Sequence, residues 1–194
     1  MKTAKPSHRV LVVSGGRQAF DSISGFLPPG EYEPVLYAPS AGEAKRMLSQ
    51  NDADILIINT PLPDEFGIEF ALGYTDSSMG ILLLCKSDLY EQVAYRVEDA
   101  GILTLPKPVN RGVLYTSVKL LSATTEKLKL WEKKNESLRE KMADIRVVNR
   151  AKWLLISRLG MTEEDAHYYI EKQAMDTRIS RREAAEEIIR AYDT

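Results

Sequence analysis

Residues 113–159 contain neither Pro nor Gly, the two residues that most often interrupt a helix. The stretch from 109 to 159 therefore predicts one nearly continuous helix, several times longer than the globular average of about 11–12 residues. A helix of that length needs another surface to cover its apolar stripe. It divides the chain into three predicted parts: a domain at residues 1–121, a coiled-coil helix at 122–144 and a small helical domain at 145–194.

The domain before the long helix alternates short apolar runs with amphipathic segments. Helical segments lie between the runs, with Ser40 and Glu43 as a capping pair before the second and Gly101 at the end of the fourth. This alternation predicts an α/β fold whose five-stranded parallel sheet is covered by helices on both faces. The predicted strands are RVLVVS (9–14), EPVLYA (33–38), DILIIN (54–59), GILLLC (80–85) and ILTL (102–105).

The carboxyl ends of the strands in such a sheet are where ligands and chemistry usually lie. Here the first strand ends in Ser14 and Gly15, the third ends in Asn59, and Lys107 follows the fifth. None of these side chains is negative, whereas Mg²⁺ is usually held by at least one carboxylate, and an amide is a poor nucleophile. We therefore predict no catalysis, no metal and no cofactor at this edge, and a hydrogen bond from Lys107 to the Asn59 oxygen.

The segment SGGRQAF (14–20) allows two interpretations. Its glycines precede a helix N-terminus and could hold a phosphate or another anion. The alternative is a tight turn without metal ligands. In the loop after the third strand, Asp64 and Glu65 are predicted to be solvated carboxylates.

The long helix fits a heptad frame with a positions at 121, 128, 135 and 142. Leu121 begins the predicted seam, and Thr124 and Asn135 interrupt its apolar character. An Asn at an a position fixes the register of parallel dimers, so a parallel homodimer is favoured. The alternative is a single helix that packs on its own N-terminal domain. The predicted dimer seam consists of Leu128, Trp131, Asn135, Leu138, Met142 and Ile145.

After Gly160 the sequence predicts two further helices, with Thr162 as one N-cap and Ser180 with Glu183 as a capping box. Together with the end of the long helix they form a predicted three-helix bundle. Residues 127–194 hold 15 Lys and Arg against 13 Asp and Glu, whereas the preceding 126 residues hold 11 against 15. This asymmetry hints at a polyanionic partner for the C-terminal part.

Composition sets further limits on the class of protein. The sequence has no run of about 18 apolar residues, so we expect no membrane span. The single Cys85 excludes an internal disulfide and favours a reducing, cytoplasmic setting. His8 and His167 are far apart and without cysteine partners, so the sequence assembles no zinc site.

The polar residue after the third strand and LPKPVN after the fifth resemble the receiver domain of bacterial response regulators. That resemblance implies a flavodoxin-like sheet. In receivers an acidic pair and an aspartate hold magnesium, and the aspartate accepts the phosphoryl group. Here Ser14 and Gly15 replace the pair, Asn59 replaces the phosphoacceptor and Cys85 replaces a Thr or Ser, while Lys107 is retained. We therefore predict a non-phosphorylatable docking and dimerisation module, controlled by a regulatory protein partner or by the protein's own concentration.

Residues 146–189 resemble the ANTAR domain, the RNA-binding output of transcription antitermination regulators. The similarity covers the Ala151–Lys152 pair, MTEEDAHYYI, QAMDTRIS and REAAEEII. It implies a non-enzymatic dimer that binds hairpins in a nascent leader transcript and prevents the terminator from forming. The family often has Gly where this chain has Trp153. We favour a core position for that ring over stacking on an unpaired base.

The basic residues of this segment support a nucleic-acid partner, because phosphate contacts dominate such affinities. Some of them have an alternative role as partners of Glu163, Glu164, Asp165 or Glu171. His167, Tyr168 and Tyr169 are candidates for base stacking, with at least one tyrosine expected in the core. The predicted RNA-binding residues are Arg146, Arg150, Lys152, Arg158, Arg178, Arg181 and Arg182.

Two other classes of protein fit parts of the sequence. A DNA-binding regulator would use the turn at Gly160 within a helix-turn-helix. A dimerisation adaptor would have no nucleic-acid affinity at all.

Overall fold

The computed structural model describes residues 7–192, which form two compact units divided between Leu130 and Trp131. The predicted domain limits at residues 1 and 194 lie outside the described residues. Within this range no helix is long and apolar enough to cross a membrane.

The N-terminal unit contains a parallel five-stranded sheet of order β2-β1-β3-β4-β5. This order confirms the predicted flavodoxin-like α/β fold. The register pairs Ser14 with Asn59, and Lys86 with Lys107, at the carboxyl ends of the strands. The strands are β1 (His8–Ser14), β2 (Tyr32–Ala38), β3 (Ile55–Asn59), β4 (Gly80–Lys86) and β5 (Leu103–Lys107).

Within the described residues, seven α-helices accompany the sheet and follow it, and short 3₁₀ turns flank α4. The predicted continuous helix is confirmed as α5. The Ser40 hydroxyl accepts the Glu43 N–H at the start of α2, and Gly101 is left-handed (φ 72°) before β5, as predicted. The helices are α1 (Arg17–Ser24), α2 (Ala41–Gln50), α3 (Ile68–Leu72), α4 (Tyr90–Val97), α5 (Arg111–Leu159), α6 (Glu163–Thr177) and α7 (Arg181–Tyr192).

Two apolar layers enclose the sheet, and β3 contributes alternately to each. Leu56 and Ile58 face the layer formed with α2, α3 and α4, whereas Ile55 and Ile57 face α1 and α5. All four are fully buried because successive side chains of a strand point to opposite faces. The continuous apolar run of β3 is therefore the pattern of a strand covered on both sides.

Helix α5 begins as part of this second layer. Leu114, Val118 and Leu121 are buried against the sheet, so the predicted placement of Leu121 on a dimer seam is wrong. A Cβ at Gly80 would lie 3.1 Å from both Leu121 Cβ and Thr125 Oγ1, so the helix passes closely over the start of β4. The alternative of a helix packing on its own domain thus holds for this first part of α5.

The apolar seam residues beyond Leu121 are solvent-exposed in the single chain. Leu128, Trp131, Leu138, Met142 and Ile145 are between 45% and 61% exposed. The predicted coiled coil would cover them, and it remains a prediction.

An ionic cluster fastens α5 to the amino ends of the strands. The Asp54 carboxylate accepts the Arg9 N–H at 2.7 Å and is paired with the Lys129 ammonium. Glu126 lies 3.9 Å from Lys129 and 3.8 Å from His8. Burial alone would raise the pKa of Asp54, but the Lys129 and Arg9 hydrogen bonds outweigh it, and the pKa lies below its ordinary value.

In the C-terminal unit the end of α5 packs with α6 and α7 around small residues. Ala151 and Leu155 of α5 meet Ala166 and Ile170 of α6 and Ala184 of α7, all of them buried. Gly160, with φ 68°, allows the chain to turn out of α5.

Both predicted caps of this bundle are confirmed. The Thr162 hydroxyl accepts the Asp165 N–H. At α7 the Ser180 hydroxyl accepts the Glu183 N–H, and the Glu183 carboxylate accepts the Ser180 N–H. The predicted three-helix bundle is therefore observed.

Lys129→Met should lower the free energy of unfolding by about 1–3 kcal/mol at pH 7, because the mostly buried Asp54 loses a charged donor. Urea denaturation measures the change. Lys133→Met, at an exposed position one turn later, is the matched control and should change stability by less than about 0.5 kcal/mol.

The loss of stability caused by Lys129→Met should decrease as the pH falls. Because folding depresses the pKa of Asp54, its stabilisation is complete above the ordinary carboxyl value of about 4 and is lost as the pH falls through the folded value. The difference in the free energy of unfolding between wild type and Lys129→Met should therefore decrease as the pH falls from about 4 through the folded pKa of Asp54. A difference that stays constant down to about pH 3 would show that the ion pair contributes nothing.

Candidate functional site

The carboxyl edge of the sheet carries a chain of neutral hydrogen bonds that ends at one ammonium group. Lys107 Nζ donates to Asn59 Oδ1 at 2.9 Å, which confirms the predicted bond, and also to the Thr60 carbonyl. Asn59 Nδ2 donates to Ser14 Oγ at 3.2 Å, and the Ser14 hydroxyl donates to the Gly16 carbonyl at 3.2 Å. The Asn59 amide is thus bonded to the protein through its oxygen and through its nitrogen.

Burial governs the electrostatics of this edge. It lowers the pKa of the Lys107 ammonium and raises the pKa of the fully buried Cys85 thiol. In residues 7–192 no group of three or more His, Cys, Asp or Glu side chains comes together that could hold a metal ion. The side chains gathered here exchange hydrogen bonds around the positive charge of Lys107.

The loop after β3 closes over the end of β1. A Cβ at Gly15 would lie 3.1 Å from Pro63 Cγ and 3.2 Å from its Cδ. Any side chain at residue 15, including the acidic one that receivers carry, would require Pro63 to move. The helix that follows begins with Gly16 as its N-cap. The alternative that residues 14–20 bind an anion remains a prediction.

Asp64 is exposed, as predicted for a solvated loop carboxylate, but it also has a structural role that the sequence did not indicate. Its two oxygens accept the Ala41 N–H at 3.0 Å and the Gly42 N–H at 2.8 Å, and these bonds lower its pKa. Asp64 therefore holds the amino end of α2 against the loop after β3. Glu65 is partly covered, with one oxygen 3.9 Å from Lys45 Nζ. The sequence could not indicate this bond, because the two segments are 22 residues or more apart in the chain and meet only once it is folded.

The C-terminal unit has a basic cleft of about 440 Å³ between α5 and α7. Arg146 and Arg150 lie one turn apart on α5, as their i, i+4 spacing predicts, and both line the cleft. Arg190 of α7 lines it as well. The sequence did not indicate Arg190, because only the packing shows which face of α7 meets α5. The remaining lining residues are Val147, Glu186 and Ile189.

A second cleft of about 490 Å³ lies beside the amino end of α7. It collects Lys152, Arg181 and Arg182, but each has a carboxylate partner within the bundle. Hydrogen bonds to these carboxylates raise the pKa of Arg182. The pairs are Lys152–Glu163 (3.1 Å), Arg181–Glu171 (3.1 Å), Arg182–Asp144 (2.9 Å) and Arg182–Glu186 (2.9 Å).

The other two predicted RNA-binding residues lie outside these clefts. Arg158 is exposed in the last turn of α5. Arg178 caps the end of α6 in the left-handed conformation with φ 58°, which projects an exposed side chain from the turn before α7.

Two predictions about aromatic residues are wrong. Trp153 does not lie in the core: it is 65% exposed, because the neighbouring Ala151 and Leu155 occupy the buried face of α5. The prediction that at least one of Tyr168 and Tyr169 lies in the core also fails, since both are exposed.

Comparison with known proteins supports the division into two parts. Residues 136–189 match the model of the ANTAR domain. The chain is 26% identical over 187 residues to the transcriptional regulatory protein PdtaR of Mycobacterium tuberculosis, covering 96% of this chain and 91% of that protein. It is 29% identical over 127 residues to the aliphatic amidase regulator of Pseudomonas aeruginosa, covering 65% of this chain and 63% of that protein.

Solved structures resemble the N-terminal part. The signal receiver domain of an HD domain-containing protein from Pseudomonas fluorescens aligns with a TM-score of 0.58 at 19% identity, covering 66% of this chain and 96% of that domain. The chemotaxis response regulator CheY4 of Vibrio cholerae aligns with a TM-score of 0.53 at 23% identity, covering 60% of this chain and 99% of that protein. These likenesses show the fold.

The chain therefore combines a receiver fold, one long helix and a helical module that matches the ANTAR domain.

Proposed function

We propose that this protein is an RNA-binding transcription antitermination regulator. Its ANTAR domain binds hairpins in a nascent leader transcript, holds the RNA in a form that excludes the terminator hairpin, and lets the polymerase read through. The observation that carries this proposal is the cleft where Arg146 and Arg150, within the matched residues 136–189, meet Arg190, which directly follows them. Guanidinium groups bind phosphate through paired N–H donors and keep their charge at any physiological pH.

The two clefts of the C-terminal unit have the same formal charge and differ in the donors that they offer. Each lining holds three cationic side chains and one carboxylate, which is Glu186 in the first cleft and Asp144 in the second. All three cations of the first cleft are arginines, whose planar guanidinium groups bind phosphate through two N–H donors at once. We therefore assign most of the phosphate affinity to the first cleft.

We further propose that the receiver fold is not controlled by phosphorylation. Asn59 already satisfies Lys107, and Gly15 has no room for a carboxylate unless Pro63 moves. A regulatory protein partner or the protein's own concentration then sets the active state. In this scheme the exposed apolar stripe of α5 pairs with a second copy as a parallel homodimer, with Asn135 fixing the register.

The RNA-binding proposal predicts a strong salt dependence. The full chain should bind an RNA of two short-looped hairpins more tightly than duplex DNA of equal length, with affinity falling linearly on a double-logarithmic salt plot. Arg146→Gln with Arg150→Gln should weaken binding at least tenfold and reduce the salt slope by about one for each phosphate that the variant no longer neutralises. Arg46→Gln, an exposed arginine on α2, is the control for a change of charge.

Two outcomes would favour other classes of protein. Tighter binding to duplex DNA would indicate a DNA-binding regulator. Undetectable affinity for both nucleic acids at low salt would indicate a dimerisation adaptor.

Incubation with acetyl phosphate and Mg²⁺ should leave the intact mass of the protein unchanged. Asn59→Asp should also remain unmodified, because a carboxylate at residue 59 would pair with Lys107 while positions 14 and 15 still supply no charge. A receiver with a complete acidic site serves as the positive control. A phosphoryl adduct on the wild type that disappears in Asn59→Ala would refute the proposal.

Asn135→Leu should tighten self-association and relax the register, because it replaces the polar a-position residue of the seam. Sedimentation equilibrium and thermal melting measure the change. Lys133→Leu introduces the same side chain at the outward f position and should leave the self-association and the melting temperature unchanged. If the two variants behave alike, residue 135 does not lie in an interface between copies.

A further inference from the structure

Trp153 is the exposed indole of the ANTAR domain, and its position on α5 is defined by its neighbours. Ala151, Leu154 and Leu155 carry the buried face of the helix, which turns the ring at residue 153 toward solvent. Arg146, Arg150 and Trp153 follow the spacing i, i+4, i+7, which places them along one face of a helix. The ring therefore continues the row of side chains that begins in the basic cleft.

The residues around the ring indicate what it binds. Its neighbours one turn away on α5 are Asn149, Arg150, Ile156 and Ser157, and none of them is acidic. An indole bordered by a guanidinium and neutral polar groups complements a nucleobase and its phosphate, because bases stack on aromatic rings while cations hold the backbone. Because the ring is already exposed, a base can stack on it without any rearrangement of the helix.

A second copy of the chain is a poorer occupant for this ring. If the heptad frame of the seam is continued, Trp153 falls at an e position, outside the a/d stripe. The a and d positions on either side of it are Asn149, Lys152 and Ile156, and two of the three are polar. The apolar seam is thus interrupted beside Trp153.

We propose that Trp153 is a stacking platform for an unpaired base of the RNA, with Arg150 and Arg146 on the adjacent phosphates. This inference rests on the proposed RNA-binding function.

The test compares the full-length wild type with Trp153→Ala, Trp153→Phe and the control Tyr95→Ala, an exposed aromatic residue of the N-terminal unit. The probes are a two-hairpin RNA and the same RNA with abasic sites in its loops. Trp153→Ala should weaken binding to the first RNA by roughly tenfold, with Trp153→Phe restoring most of the affinity. The abasic RNA should bind wild type and Trp153→Ala equally. Quenching of indole fluorescence by the intact RNA should be much weaker in Trp153→Phe, which retains only Trp131.

Failures of the two proposals give different results. No binding of either RNA by the wild type would overturn the RNA-binding function and this inference together. Wild-type binding that is equally strong in Trp153→Ala would overturn only the stacking platform. A lower self-association of Trp153→Ala, with unchanged RNA affinity per dimer, would assign the ring to a contact between copies and also overturn it.

Discussion

The central constraint on this chain is that one uninterrupted helix supplies side chains to two separate cores. Leu114 and Val118 complete the layer beneath the sheet, and Ala151 and Leu155 complete the helical bundle. An interior Pro or Gly would break or loosen the helix, either within one of the cores or in the segment that joins them. The absence of both residues over 113–159 therefore keeps the helix continuous from one core to the other.

At the carboxyl edge of the sheet, a neutral amide replaces the negative charge that a receiver uses to bind magnesium. An ammonium group buried beside carboxylates would be held by ion pairs, whereas here Lys107 is held by the Asn59 oxygen and the Thr60 carbonyl. These two acceptors take hydrogen bonds from the ammonium without cancelling its charge, and burial lowers its pKa. Such a site keeps the geometry of the fold but lacks the negative charge that would hold a divalent cation.

Sequence reasoning predicted the features that depend on local pattern. The five strands, the long helix, the caps at Thr162 and Ser180 and the bond between Lys107 and Asn59 each follow from periodicity, from capping chemistry or from the meeting of parallel strand ends. It failed where the outcome depended on packing between distant segments. Asp64 binds α2, Leu121 enters the core rather than the seam, and Arg190 joins the basic cleft.

The misplacement of Trp153 has the same origin and bears on function. A large ring in an amphipathic helix is most often a core residue, and only the observed packing shows that alanines fill the interior of this bundle. Trp153 lies on the face of α5 away from Ala151 and Leu155, so the helix itself directs the ring toward solvent. The buried core and the exposed ring therefore occupy different faces of one helix, and the core does not depend on the indole.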